Sequence, residues 1–201
     1  MQITPLSVPD AVVVSPPVFA DERGAFLEWF RADRLAEATG RTMPIVQANT
    51  SVSARGVVRG IHFAEVPLGQ AKYVSVPHGA IVDYVVDLRV GSPTFGHWDA
   101  VELSSADRRA VFVPEGFGHA FVALDDDTVV SYLVSDVFRP EKEHGVNPLD
   151  VELALDLADR VDAELRFSPK DEAAPTLAEA LADGLLPTWE ACQERYRALA
   201  P

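Results

Sequence analysis

Two histidines stand in surroundings suited to proton transfer, His62 in RGVVRGIHF and His119 in VPEGFGHAF. Imidazole titrates near neutral pH, which makes His62 a candidate general base. That role needs a carboxylate to hold its tautomer and a partner acid across the substrate. The candidate carboxylates are Asp83, in the apolar run IVDYVVDL, and Asp171, in SPKD. Tyr132, in TVVSYLV, is a candidate acid, although a tyrosine in an apolar strand is more often a core residue. An oxyanion formed by such chemistry needs a cation beside it, and Lys72 and Arg59 lie on strands that would flank His62 in a barrel. An inward-facing cation with no ligand is costly, so these two are informative only together with the histidines.

A metal is the competing reading of the same histidines. Pro114-x-Gly116-x-x-His119 matches part of the second metal-binding motif of cupin barrels. Such a site wants at least three N or O ligands, and the first cupin motif normally gives two histidines separated by one residue plus a glutamate. His62 is followed by Phe63, Ala64 and Glu65, so the paired histidine is missing and no metal is expected. Cys192, the single cysteine, excludes an intramolecular disulfide and a multi-thiolate zinc site, and reads as a packing residue. Asp125, Asp126 and Asp127 read as a solvated hairpin tip, and Arg108 and Arg109 as surface.

The elements that must position these residues are mostly short strands. Between about 45 and 135, turns recur at intervals of roughly ten residues, the pattern of a sandwich or barrel. The expected strands are Val57 to Phe63, Ala71 to Val76, Ala80 to Leu88, His97 to Leu103, Ala110 to Val113, Ala120 to Leu124 and Thr128 to Val134. Glu28 to Ala38 reads as a helix stopped by Gly40, and Thr176 to Ala182 and Trp189 to Leu199 as two more. The expectation is one domain over 1–201, with an all-β core at about 45–135 and helical decoration at about 175–200. A closed antiparallel barrel leaves an interior cavity suited to a small ligand.

Composition bounds the partners. Apolar residues are 48% of the 201, enough to offset chain ordering, so a disordered chain is excluded. The formal charge of −14 argues against nucleic-acid polymers and anionic membranes. No apolar run approaches the ~20 residues of a membrane span, and Met1 to Pro5 lacks the features of a signal peptide, so a cytoplasmic protein is expected. Only three of the cations are lysines, Lys72, Lys142 and Lys170.

Seven segments, DERGAFLEWF, VQANTS, RGVVRGIHF, GQAKYV, GSPTFGHW, VPEGFGHAF and SPKDEAAPTL, occur in the order seen in dTDP-4-dehydrorhamnose 3,5-epimerases and their deoxysugar-pathway relatives. The chain resembles that family from about residue 5 to 190, with PLGQAKY and GLLPTW most like its actinobacterial branch. The resemblance implies a jelly-roll cupin, a homodimer, and epimerisation of a dTDP-linked 4-keto-6-deoxyhexose at C3 and C5 with no metal or organic cofactor. It further implies that His62 is the base, Asp171 its carboxylate, Tyr132 the acid and Lys72 the stabiliser of the enolate oxygen. His119 would lie near the sugar or its keto oxygen. Arg23, Phe26, Glu28, Gln47 and Asn49 would approach the thymidine, and Arg59 and Lys170 the diphosphate. Phe138 stands where a tyrosine often packs near the nucleotide.

Other readings compete with this one. An epimerase acting at only one carbon would need the same His62 and Tyr132. A non-catalytic sugar-nucleotide binder would lack the base or the acid, and neither is missing. A metal-dependent oxygenase lacks its ligand pair, and the SPKD and RGIHF segments point away from a 3,4-ketoisomerase.

Overall fold

The computed structural model describes residues 1–201 and contains two antiparallel sheets. The first sheet has six strands. In spatial order they are β1 (Gln2–Pro5), β2 (Val12–Ser15), β10 (Ala110–Val113), β7 (Lys72–His78), β12 (Thr128–Val134) and β5 (Gln47–Ser53). The second has five: β13 (Glu143–Gly145), β6 (Val58–Ala64), β11 (Phe117–Ala123), β8 (Ala80–Asp87) and β9 (Trp98–Ser104). A separate hairpin, β3 (Val18–Asp21) with β4 (Gly24–Leu27), is exposed along nearly its whole length.

The strands face one another because alternate side chains of each are apolar. Val74 and Val76 of β7, Val111 and Val113 of β10 and Val130 of β12 meet Ile81 and Val85 of β8 and Phe117 and Phe121 of β11 in one buried cluster. The five-stranded sheet is apolar on its outer face too, with Ile61, Phe63, Tyr84, Val86 and Val122. Strands buried on both faces need a covering layer. Here it is the C-terminal part of the chain, through Val146, Leu153, Leu157, Leu177 and Ala180. At about 25 cal/mol per Å², each fully buried valine or leucine of this layer contributes roughly 1.5–3 kcal/mol, and Ala180 less.

Helix α1 (Ala32–Thr39) ends on Gly40, whose φ of 69° is left-handed, as the glycine stop requires. Two short helices, α2 (Leu157–Arg160) and α3 (Pro169–Glu172), precede α4 (Leu177–Ala182) and α5 (Trp189–Ala198). Thr176 and Glu179 form a reciprocal capping box at α4, and the Thr188 hydroxyl accepts from the Ala191 N–H at α5. None of these helices is long and apolar enough to cross a membrane.

The strand-rich region is wider than 45–135. β1 and β2 join the six-stranded sheet from the N-terminus, and β2 buries Val12 and Val14 against Leu35, Tyr73 and Phe112. Their four-residue lengths are too short to show alternation in the sequence. The helix expected from Glu28 begins only at Ala32, because Trp29 is used instead to accept a hydrogen bond at its carbonyl from Tyr73 Oη, 2.6 Å away.

Candidate active site

Strand register decides which side chains enter the space between the sheets. Tyr132 on β12 lies opposite Asn49 on β5 and Val74 on β7, and Val134 lies opposite Gln47 and Lys72. Opposed residues share a face of the sheet. Since Val74 and Val130 are core residues between the sheets, Gln47, Asn49, Lys72 and Tyr132 face the same interior. On the other wall His119 of β11 lies opposite His62 of β6 and Val85 of β8, with Asp83 paired to Phe121 two residues along. Val85 and Phe121 belong to the same interior cluster, so both histidines and Asp83 also turn inward. One part of the interior is thus aliphatic and aromatic, and the adjoining part holds titratable groups.

The crossing of β6 over β11 is close at this point. Gly60 has φ +115°, and a Cβ there would run into the His119 carbonyl and Ala120. Two residues later comes His62, whose Nε2 is 2.6 Å from Asp171 Oδ1. Asp171 is held by the first turn of α3, where its N–H donates to Ser168 Oγ at 3.1 Å. The Asp171 side chain is 6% exposed against 38% for His62, so the imidazole is the accessible member. Burial pushes the Asp171 carboxyl up, but its bonds to His62 and Ser168 outweigh that and hold it below the usual carboxylate value. The choice between Asp83 and Asp171 as the partner of His62 is settled for Asp171.

Asp83 belongs to the second histidine. His119 Nε2 is 2.7 Å from Asp83 Oδ1, and both residues are buried. Lys72 is buried as well, and burial lowers its ammonium pKa, opposed by the negative charges of Glu143 and Asp83. Burial raises the Tyr132 phenol, with Glu143 acting the same way and Arg59 and Asn49 acting against it. Glu143, on β13, therefore acts on both Lys72 and Tyr132. Sequence reading missed it, because EKEHG looks like any acidic surface run until β13 pairs with β6 and sets Gly145 opposite His62.

A cleft of about 340 Å³ beside His62 has Arg59, His62, Lys170 and Asp171 in its lining, while Lys72, His119 and Tyr132 lie outside that lining. Arg59 Nε donates to Ser53 Oγ at 3.1 Å and Nη2 to the Val52 carbonyl at 3.2 Å, which ties its guanidinium to β5. Lys170 is exposed at the rim. Gln47 Nε2 donates to Asn49 Oδ1 at 2.8 Å, and its Oε1 accepts from the Phe138 N–H at 3.2 Å. Phe138 itself is 57% exposed beside them.

Three of the expected site residues stand elsewhere. Arg23 and Phe26 are on the exposed hairpin, and Glu28 is exposed just beyond it. Arg23 forks onto Asp21, with Nη2 to Oδ2 at 2.5 Å, and Glu28 pairs with Arg31 at 3.4 Å. Within one chain none of them lines the His62 cleft.

The interior can therefore carry out proton exchange on a carbon acid. It offers an accessible imidazole with an orienting carboxylate, a phenol on the facing sheet, and a buried lysine on the strand beside that phenol. No group of three His, Cys, Asp or Glu side chains is arranged to hold a metal ion.

Known proteins similar to this chain in sequence and shape point to one family. The family model described as dTDP-4-dehydrorhamnose 3,5-epimerase matches residues 5–179. A dTDP-4-dehydrorhamnose 3-epimerase of Streptomyces niveus is 51% identical over 96% of this chain and 92% of its own length. A dTDP-4-dehydrorhamnose 3,5-epimerase of Mycolicibacterium smegmatis is also 51% identical, over 94% of this chain and 92% of its own. Among solved structures, a 3'-monoepimerase from Streptomyces bikiniensis in complex with dTDP-quinovose superposes with a TM-score of 0.94 at 45% identity, covering 98% of both chains. The two sheets are those of a cupin jelly roll, and the chain belongs to the dTDP-4-dehydrorhamnose 3,5-epimerase family.

Proposed function

We propose that the protein epimerises dTDP-4-keto-6-deoxy-D-glucose at C3 and C5, giving dTDP-4-keto-L-rhamnose, for rhamnose or antibiotic-sugar biosynthesis. The observation that carries the reading is the opposition of His62, paired with Asp171 at 2.6 Å on one sheet, to Tyr132 on the other. The 4-keto group acidifies the neighbouring C–H bonds. His62 takes a proton, the C–H electron pair forms the enolate, and Lys72 stabilises the oxygen that gains the charge. Tyr132 returns a proton from the opposite face, which inverts the carbon, and solvent restores both groups. His119 assists near the keto oxygen, and the chemistry calls on no cofactor.

In this reading Gln47, Asn49 and Phe138 meet the thymidine, while Arg59 and Lys170 hold the diphosphate. Forked and paired donors suit phosphate oxygens. Arg23, Phe26 and Glu28 contribute from the hairpin of a second subunit, so the working unit is a homodimer. Support for that comes from the exposure of Phe19 and Phe26 at 60% and 67%, on a hairpin that makes little contact with its own sheets.

The deciding experiment is incubation with the sugar nucleotide in D₂O, following C3 and C5 by NMR. Exchange with inversion at both carbons is expected. Exchange at C3 alone makes the protein a monoepimerase, and no exchange with dTDP binding retained sinks the catalytic reading. His62→Ala is expected to abolish exchange while leaving dTDP binding intact.

A further inference from the structure

Asp83 is a fully buried carboxylate that the proton-transfer scheme above does not use. Its Oδ1 is 2.7 Å from His119 Nε2, and its Oδ2 is buried without a hydrogen-bond partner. A carboxylate in that position is strongly disfavoured unless positive charge lies close by. Two groups able to carry it face the same interior: Lys72, on the opposite sheet, and His119 when its ring is protonated. The other ring nitrogen of His119, Nδ1, has no hydrogen-bond partner in the protein.

We propose that Asp83 is a positioning residue for the epimerisation: it fixes the proton of His119 on Nε2, leaving Nδ1 for the sugar, and it is the fixed anion that keeps Lys72 charged beside the enolate oxygen. The inference rests on the epimerase reading. A carboxylate bonded to a ring N–H selects one tautomer and stabilises the cation when the ring is protonated, the same physics that His62 obtains from Asp171. The two dyads differ in placement. Asp171 arrives from a helix at the rim, whereas Asp83 is built into a central strand and cannot move without disturbing β8. The role is thus preorganisation of donors rather than proton transfer.

The titratable groups facing Lys72 are Asp83 on β8, His62 on β6, His119 on β11, Glu143 on β13 and Tyr132 on β12. Removing only the charge of Asp83 leaves Glu143 as the single opposing anion. Lys72 then loses its proton at lower pH, and the alkaline limb of kcat moves down with it.

Two measurements test the proposal. First, ¹⁵N-histidine NMR of the unaltered protein is expected to show neutral His119 protonated at Nε2, its signals identified by their loss in His119→Asn. A proton on Nδ1 instead overturns the proposal, whether or not any variant folds. Second, Asp83→Asn is expected to lower kcat by about 10²-fold, with KM little changed, and to shift the alkaline limb to lower pH. An unchanged kcat, or a lowered kcat with an unmoved limb, also overturns it. If the unaltered protein exchanges no proton of dTDP-4-keto-6-deoxyglucose, the functional reading fails by itself, and the tautomer of His119 still decides whether Asp83 positions it.

Discussion

β8 carries two buried aspartates four residues apart, and their surroundings are finished in different ways. Asp87, at the strand end, accepts from Arg89 Nε and Nη2 at 2.8 Å each and from Ser92 Oγ and Thr94 Oγ1 at 2.6 Å each. Arg89 is completely buried, lies over the rings of Phe117 and Trp189, and extends Nη1 to Asp10 at 2.7 Å. That cluster ties the N-terminal segment, the strand end and α5 together. Asp83, in the middle of the same strand, has one partner and an orphaned oxygen. Buried polar groups are nearly always paired, so a group left short needs a reason. Arg41, stacked on Tyr196, is also short of partners at Nε and Nη1, so incompleteness alone does not mark a ligand site. The mark is incompleteness together with a base, an acid and a cation converging on one space.

The contrast is sharpest in substitutions that separate stability from rate. Arg89→Ala leaves Asp87 buried and uncompensated, and is expected to lower unfolding free energy by about 3–5 kcal/mol in a denaturant titration, while turnover per folded molecule is retained. Equal stability in that variant would break the distinction. Lys72→Met should do the reverse. Losing a preorganised donor is expected to reduce kcat by ~10²–10³, whereas stability falls much less than in Arg89→Ala, because Lys72 makes no direct ion pair and its loss removes only part of the positive charge near Asp83. A large loss of stability there would place Lys72 with the structural cluster.

The smallest effect is in acid. The Asp87 carboxyl is pushed up by burial but held below its usual value on balance by Arg89, Ser92 and Thr94. Asp171 is likewise depressed, by His62 and Ser168 acting against burial. A carboxyl depressed in the folded state contributes stability above its unfolded value of about 3.9, and loses it as pH falls through the folded value. Acid unfolding below about pH 4 should therefore be less steep in Asp171→Asn than in the unaltered protein. An identical acid limb would remove Asp171 from the groups that couple protonation to folding.

Much of this was legible in the chain. Ala110–Val113 and Thr128–Val134 are strands at the expected bounds, and Gly40 stops α1, because periodicity and punctuation are local signals. β5 was not legible, since QANTSVS turns its polar residues inward toward the pocket and exposes Val52, the inverse of the usual pattern. Tyr132 had two readings, core or acid, and it is packed at the border of the apolar cluster while facing the polar space. Which histidine Asp83 serves depends on the register between β8 and β11, and Glu143 acquires its place only through the pairing of β13 with β6. Cross-strand register is non-local, and one sequence does not carry it.

Cys192 lies on α5 with its sulfur packed against Gly116, where any side chain would collide with it. It is completely buried, and burial pushes its thiol up to about 12. A thiol so rarely ionised is slow to react with labelling reagents while α5 is seated. The residue is therefore a built-in clock: the rate at which an added thiol reagent modifies it would report how readily the last helix detaches from the Arg89 cluster, with no engineered cysteine required.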